Sequence, residues 1–297
     1  MGATQGLDFS YWNGNNVNFN AIKAAGYDYV ILRAGLGSAL KYPSQFDSTF
    51  ENNYKKAKAA GLKVGAYWYT YCTTTQAANE EAAAFAKALS GKQFEMPVYM
   101  DIEEMCQFNT GKTNLSAVAN AFCTYMEKSG YYAGIYCSTG WGNSYLTDDV
   151  RARFAYWVAE WGSKCNYKGA YGMWQNGTVY VSGSGCSAID HNYCYVDYPS
   201  IIKSKGLNGF PKPAKAEKVL DTGSCYKLGE TTVGALAVKE MLRLAYGIKL
   251  HTVKVDDSKV YDKSAMEAVS ALQKRWGYKQ TGRAGENFVK KLYEALK

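Results

Sequence analysis

The chain has 297 residues, of which 47% are hydrophobic and 20% are charged, and its formal net charge is +8. This composition excludes a disordered or fibrous chain and is typical of one large or two ordinary globular domains. No segment reaches the length of a membrane span, and residues 1–6 lack the basic and apolar regions of a signal peptide. We therefore expect synthesis in the cytoplasm and no insertion into membranes.

Apolar runs alternate with helix-like stretches from residue 6 to about residue 198, which predicts β/α units on a parallel sheet. The predicted strands lie near residues 7–9, 29–34, 64–69, 98–101, 133–137, 156–159, 172–175 and 188–190. Helix candidates between them stop at glycines, namely 50–60 before Gly61, 76–90 before Gly91 and 116–129 before Gly130. Eight strands alternating with helices indicate an α/β fold closed into a (β/α) barrel.

The composition of the sequence changes after residue 198, since three of the five prolines lie at positions 199, 211 and 213. We predict a barrel domain over residues 1–207, a linker over 208–224 and a small, mainly helical domain over 225–297. In the last part, apolar residues recur at helical spacing. This pattern predicts helices over residues 232–246, 264–276 and 286–296.

The positive charge is concentrated near the C-terminus, where residues 225–297 hold 14 Lys and Arg against 8 Asp and Glu. A basic module favours anionic polymers, and cell-wall polymers, nucleic acids and membrane surfaces all qualify electrostatically. We expect no nucleic-acid partner, because neither half of the chain shows a nucleic-acid-binding motif.

The eight cysteines indicate reduced core thiols rather than a disulfide framework, because a long chain without a signal peptide stays in a reducing compartment. Cys186 and Cys194 flank Asp190 and are the pair to test for a disulfide. The chain has two histidines and lacks a C-x-x-C motif, so a structural zinc site is not expected.

Three segments place carboxylates where predicted strands end, namely Asp8, the pair Asp101 and Glu103, and Asp190. Asp101 and Glu103 lie two residues apart and project from the same face of a strand, with Cβ atoms about 6 to 7 Å apart. Closure of a barrel makes its first and last strands neighbours, and active sites form at the C-terminal strand ends. We therefore expect Asp8 beside Asp190, facing the other pair across the mouth. Paired carboxylates of this kind suit glycoside hydrolysis.

Residues 6 to about 198 resemble the family 25 glycoside hydrolases, the lysozyme-type N-acetylmuramidases. The resemblance is carried by four anchors in order, namely Asp8 to Gly14, Asp101-Ile102-Glu103, Trp174-Gln175 and Asp190-His191-Asn192. It implies that Glu103 is the general acid and that Asp8, Asp101 and Asp190 complete an acidic site without a metal or organic cofactor. Crowded carboxylates independently favour an acid that keeps its proton near neutral pH.

Two mechanisms stay open at this point. A carboxylate attacks the sugar directly, or the 2-acetamido group of the substrate attacks while Asp101 or Asp190 orients it. We favour substrate assistance, which needs no protein nucleophile.

Several residues are candidates for contact with the substrate. The resemblance implies that Tyr67 points into the site, and Asn192 and Trp174 are further candidates, the latter for stacking on sugars. Packing in the core is the favoured alternative for Trp174. Arg33 either contacts the substrate or neutralises the acidic cluster. Leu36 departs from the family pattern, in which an acidic residue is frequent at this position.

Most of residues 226–296 resemble the three-helix peptidoglycan-binding domain, and a dimerisation module is the rival interpretation. The expected function is cleavage of the β-1,4 bond between N-acetylmuramic acid and N-acetylglucosamine in bacterial peptidoglycan, by a phage endolysin or autolysin that reaches the cell wall after release. The basic domain would tether the enzyme to this polymer or to other anionic wall polymers. The alternatives are another N-acetylhexosaminide glycosidase, such as a chitinase, and a non-catalytic glycan-binding protein.

Overall fold

The computed structural model describes residues 2–212 and 218–297, and the chain divides into two compact units, Met1–Pro213 and Ala214–Lys297. In the described part of the first unit, eight strands close into one barrel in chain order. They are β1 Thr4–Phe9, β2 Tyr29–Leu36, β3 Lys63–Tyr69, β4 Val98–Asp101, β5 Ala133–Ser138, β6 Ala155–Ala159, β7 Met173–Val179 and β8 Ile189–Cys194. Each predicted strand is present, and the expected (β/α) barrel is confirmed.

Helices fill the connections between the strands. They are α1 Phe19–Ala24, α2 Phe50–Ala59, α3 Thr75–Leu89, α4 Met105–Phe108, α5 Lys112–Lys128, α6 Thr139–Tyr145, α7 Asp148–Arg153 and α8 Tyr198–Lys205. The three predicted glycine stops follow α2, α3 and α5 with positive φ angles of 74°, 74° and 88°. This left-handed conformation ends a helix and suits glycine, which has no Cβ.

The sequence predicts a wholly parallel sheet, but the barrel contains one antiparallel strand. Strands β1 to β7 pair in parallel, but β8 runs antiparallel to both β7 and β1. The connection between β7 and β8 covers residues 180–188 and contains no helix, although all of these residues are described. A parallel crossover needs a dozen or more residues, whereas a short connection produces an antiparallel pair.

Side chains alternate between two cores, as the period of a strand requires. Inward-facing residues such as Tyr99, Trp157 and Met173 fill the barrel interior. Outward-facing neighbours such as Met100 and Trp174 pack in the cluster beneath the helices. Tyr99 and Trp157 form an edge-to-face pair with ring centroids 5.1 Å apart. The interior is therefore filled with aromatic rings below the mouth, and it supports the residues above it.

The predicted linker over 208–224 is too long at both ends. Asn208 is buried, donates to Met96 O at 2.9 Å and accepts from Tyr132 N at 2.7 Å, so it belongs to the barrel. Asp221 is buried in the second unit, where its carboxylate accepts from three backbone N–H groups at the start of a helix. Between these anchors, residues 213–217 lie outside the described residues.

The second unit contains α9 Val233–Gly247, α10 Lys263–Arg275 and α11 Glu286–Leu296, together with a two-stranded sheet of β9 Cys225–Tyr226 and β10 Ala284–Gly285. The three predicted helices are present within one residue of their predicted limits. Leu242, Leu272 and Phe288 each lie in the one core that the helices share. The mainly helical character of this unit is therefore confirmed.

Lys239 of α9 is buried within the second unit, and five oxygen atoms lie within hydrogen-bond distance of its ammonium nitrogen. The acceptors are Asp256 Oδ1 at 2.6 Å, Ser258 Oγ at 2.7 Å, Val260 O at 2.8 Å, Ser258 O at 2.9 Å and a carboxylate oxygen of Asp262. The acceptors recur at every second residue from 256 to 262. The loop is thus wrapped around one side-chain cation.

All eight cysteines lie in the described part of the chain and are unpaired there, including Cys186 and Cys194. The prediction of buried thiols holds for four of them and is wrong for Cys106, which is exposed. Cys165, Cys186 and Cys225 are partly exposed. Among the described helices, none combines the length and apolarity needed to cross a bilayer.

Candidate active site

The four predicted carboxylates reach the same mouth of the barrel. Asp8 precedes the last residue of β1, and Asp101 ends β4. Asp190 is the second residue of β8, and because this strand is antiparallel, its beginning lies at the mouth where the others end. Asp8 and Asp190 are direct partners in the β1–β8 register. Glu103 lies two residues beyond β4, so it projects from the loop rather than from the strand.

Asp8 is buried, and one of its oxygens is held by two amide groups. Asn192 Nδ2 donates to Asp8 Oδ2 at 2.8 Å, and Gln175 Nε2 donates to the same oxygen at 3.1 Å. Burial raises the pKa of Asp8 well above its usual value, and the neighbouring charge of Asp190 raises it further. The two amide hydrogen bonds act in the opposite direction, because they stabilise the ionised form.

A second layer of donors fixes the orientation of both amides. Tyr136 Oη donates to Gln175 Oε1 at 2.9 Å, and Trp161 Nε1 donates to the same oxygen at 3.2 Å. Trp157 Nε1 donates to Asn192 Oδ1 at 2.7 Å. Because each amide oxygen is engaged by a donor, each amide nitrogen must face Asp8. The carboxylate therefore has a prearranged set of partners.

Asp101 is 3% exposed, and its Oδ1 has no hydrogen-bond partner among the described residues. Burial raises its pKa well above the usual value, followed by the charges of Glu103 and Asp8, whereas Arg33 lowers it. Its backbone carbonyl accepts from Thr70 N at 3.1 Å and from Thr70 Oγ1 at 2.5 Å. These bonds anchor the end of β4 to the loop after β3.

Glu103 is the most accessible of the four acids at the mouth. Its pKa is raised, first by desolvation within the mouth and then by the charges of Glu104 and Asp190. Glu104 follows Glu103 in the loop after β4. Its Oε1 accepts from Tyr69 Oη at 2.7 Å. Two glutamates are therefore neighbours at the mouth.

The predicted substrate-contact residues fall in two groups. Tyr67 is partly buried beneath the mouth, and the charges of Asp8 and Asp101 add to the desolvation that raises its pKa. Arg33 lies beside this cluster and forms an ion pair with Asp47 at 2.8 Å. Contact of Tyr67 and Arg33 with the substrate stays a prediction.

The predictions for Trp174 and Asn192 are wrong. Trp174 points out of the barrel, donates to Glu160 O at 2.8 Å and packs near Tyr193, so it belongs to the outer core. Asn192 is fully buried under Asp8 and positions that carboxylate instead of lying open to a ligand. Alternation along β7 puts Gln175 inward and Trp174 outward, a signal that the sequence pattern already contained.

Sequence reasoning missed three residues that build the site. Gln175 holds Asp8, and Asp47 holds Arg33. Trp161 is 64% exposed, and its Nε1 donates to Gln175. Of these three residues, only Gln175 could be identified from the local sequence, because it belongs to the Trp174-Gln175 anchor and follows the inward-facing Met173 by two residues.

Within the described ranges, no cluster of three or more His, Cys, Asp or Glu side chains has the arrangement that could hold a metal ion. The chemistry available to the site from these residues is proton transfer and charge stabilisation. Exposed aromatic faces near the mouth, including Trp161, are suited to stacking on sugar rings.

A family model described as Glycosyl hydrolases family 25 matches residues 7–183. An autolytic lysozyme of Clostridium acetobutylicum is 30% identical over 189 residues, which cover 63% of this chain and 55% of that relative. The chain therefore spans about half the length of this curated relative.

Two solved structures resemble this chain over part of its length. The CTP1L endolysin is 26% identical, with a TM-score of 0.59 over 68% of this chain and 70% of that one. The bacterial lysozyme from Streptomyces coelicolor is 24% identical, with a TM-score of 0.57 over 71% of this chain and 99% of that one. The second likeness shows a shared fold.

Proposed function

The chain belongs to the glycosyl hydrolases of family 25, and on this basis we propose that it cleaves bacterial peptidoglycan. The bond is the β-1,4 linkage between N-acetylmuramic acid and N-acetylglucosamine. The observation that carries this proposal is the convergence of Asp8, Asp101, Glu103 and Asp190 at one barrel mouth. Burial raises the pKa of each acid, and neighbouring charges raise the pKa values of the first three further. Such a cluster holds a proton that can be given to a leaving group.

Glu103 is the general acid in this proposal. It is the accessible member of the cluster, whereas Asp8 and Asp101 are buried below it. Its raised pKa extends the pH range in which it carries a proton. The proton passes from the Glu103 carboxyl to the glycosidic oxygen as the bond from that oxygen to the sugar C1 breaks, and Glu103 becomes a carboxylate.

Asp190 is the residue that orients the substrate's 2-acetamido group. Its carboxylate is partly exposed and has no hydrogen-bond partner in the described part of the chain, so it can accept the acetamido N–H. The acetamido oxygen then attacks C1 and forms an oxazolinium ring, which water opens while Glu103 takes back a proton. Asp8, held by two amides, supplies fixed negative charge near the positive centre.

The test is digestion of purified peptidoglycan by the wild type and by Glu103→Gln, with reducing ends identified by mass spectrometry after borohydride reduction. We expect muramitol ends from the wild type and none from the variant. Glu80→Gln, at an exposed position on α3, is the matched control and should cleave normally. Glucosaminitol ends would move the cut to the other bond, and binding without new ends would make the barrel a glycan-binding protein.

We further propose that the basic second unit tethers the enzyme to the cell wall or its anionic polymers. Lys254, Lys274 and Lys279 are exposed and supply positive charge there. Replacing all three by Gln in the full chain should lower the fraction of the protein that sediments with purified cell walls. This fraction should also depend less on the salt concentration. Unchanged sedimentation would remove this role, and a dimer of the wild type in light scattering would favour the dimerisation module.

A further inference from the structure

A groove of about 480 Å³ opens beside the acidic cluster, between the loops that follow β1, β2 and β3. Tyr11, Trp12, Tyr69 and Tyr71 supply aromatic walls, and Trp12 is 83% exposed. Exposed rings of this kind stack on the apolar faces of sugars. The groove therefore has the shape and walls of a sugar subsite adjoining the mouth.

Arg33 lines this groove and is the one cationic side chain among its described lining residues. Its Nε donates to Asp47 Oδ2 at 2.8 Å. Neither terminal nitrogen of the guanidinium is bonded to an acceptor in the described residues. Two parallel N–H groups remain available, which is the arrangement that recognises a carboxylate.

Asp47 does not use up the charge-binding capacity of Arg33. Its Oδ2 also accepts from Tyr11 N at 2.9 Å, and its Oδ1 accepts from Thr49 N at 2.9 Å and Thr49 Oγ1 at 2.7 Å. The Asp47 side chain is completely buried. Asp47 thus fixes one edge of the guanidinium and leaves the other edge to the groove.

The charge pattern separates two regions of the cleft. The four acids repel anionic groups from the mouth, whereas Arg33 attracts them into the groove. Leu36 also lines the groove. A carboxylate at this position would compete for Arg33, and the neutral leucine leaves the guanidinium free.

We propose that Arg33 binds a carboxylate of the glycan strand in this groove and thereby selects anionic peptidoglycan over neutral N-acetylhexosamine polymers. This inference rests on the proposed function and names the feature of the substrate that the site recognises. The carboxylate belongs either to the lactyl group of muramic acid or to its peptide stem. Both sources present the same chemistry to the guanidinium.

The experiment compares three substrates that share one glycan backbone. Intact strands carry stem carboxylates, amidase-stripped strands carry free lactyl carboxylates, and stripped strands coupled to methylamine are neutral. We expect the wild type to have a kcat/KM about 10- to 100-fold higher on at least one anionic strand than on the neutral strand, as a charge-assisted bond implies. The preferred strand identifies the source of the carboxylate.

Leu36→Glu tests the site without breaking the pair between Arg33 and Asp47. It should abolish the preference of the wild type for anionic strands. Leu36→Gln has the same size without the charge and should keep the preference. Arg33→Gln should also lose the preference, and Lys55→Gln, at an exposed position on α2, should retain it.

A wild type that cleaves all three strands equally overturns this inference while leaving the proposed function intact. The same conclusion follows if Leu36→Glu lowers kcat/KM equally on all strands, because the effect then lies in the acidic cluster. Absence of muramitol ends from every strand would instead overturn the proposed function.

Discussion

Asp8 and Asp190 face each other as register partners across the antiparallel junction that closes the barrel. Each raises the cost of ionising the other, and the charge of Asp190 is the second cause of the raised pKa of Asp8. The junction therefore does more than close the sheet. It places two carboxylates so near that their protonation states depend on each other.

Removing one amide from Asp8 should alter the pH dependence of activity. Asn192→Ala deletes the 2.8 Å bond that favours ionised Asp8, so the pKa of Asp8 should rise further. The acidic limb of kcat/KM should move to higher pH, with about a tenfold loss below the optimum. Asn79→Ala on the exposed face of α3 is the control. An unchanged limb would show that Asp8 is not an essential anion.

Glu104→Gln should move the alkaline limb of the pH dependence of kcat/KM. Glu104 is the second cause of the raised pKa of Glu103, and the amide oxygen of Gln can still accept from Tyr69. The pKa of Glu103 should fall, so the general acid should lose its proton at lower pH and the alkaline limb of kcat/KM should move down. A limb that stays in place or moves up contradicts the assignment of Glu103.

Two tryptophans should respond in opposite ways. Trp161→Ala removes an exposed ring at the mouth, so we expect KM to rise about tenfold with little change in Tm. Trp174→Ala leaves a cavity in the outer core and should lower the free energy of unfolding by about 3–5 kcal/mol. Kinetics and thermal unfolding of both variants check this contrast. A destabilised Trp161→Ala with unchanged KM would remove its role in substrate binding.

Glu81 makes stability depend on pH. It is buried on α3 beside Tyr71 N, and burial raises its pKa to about 8. The unfolded chain releases this proton near the ordinary value of 4.5, so the native state is increasingly penalised between pH 4.5 and 8. Glu81→Gln should therefore raise Tm at pH 8 and leave it unchanged at pH 4. Equal effects at both pH values would show that ionisation is not the cause.

Lys239→Met should unfold the second unit more easily. The substitution leaves two carboxylates and two backbone carbonyls without their shared donor, so the free energy of unfolding of this unit should fall. Denaturant unfolding followed by probes in each unit should show a lower midpoint for the second unit alone. Lys263→Met, at an exposed site on α10, should be neutral. Equal midpoints for both variants contradict a structural role of the ammonium.

The strands and the four acids could be predicted because they depend on local pattern. Apolar runs, glycine stops and carboxylates at strand ends are all visible within a few residues. The antiparallel β8 was within reach as well, because residues 180–188 are too few for a helical crossover. The errors at Trp174 and Asn192 came from treating anchors as contacts without applying the alternation of the strand.

Other features depend on contacts between distant positions and leave no local signal. Asp47 meets Arg33 only after β2 and its loop have folded back, and Asn208 becomes a barrel residue only through Met96 and Tyr132. Trp161 is identified as a residue of the site only through its hydrogen bond to Gln175. A single sequence contains these residues but does not reveal which of them meet.

The loop around Lys239 has a consequence for where the protein can work. Alternating oxygen ligands from Asp256 to Asp262 enclose a cation that is part of the chain, so it cannot dissociate. Chelators and changes in calcium or magnesium concentration have no ion to remove from this centre. The second unit can therefore keep this loop in shape in cytoplasm, lysate and dilute medium alike.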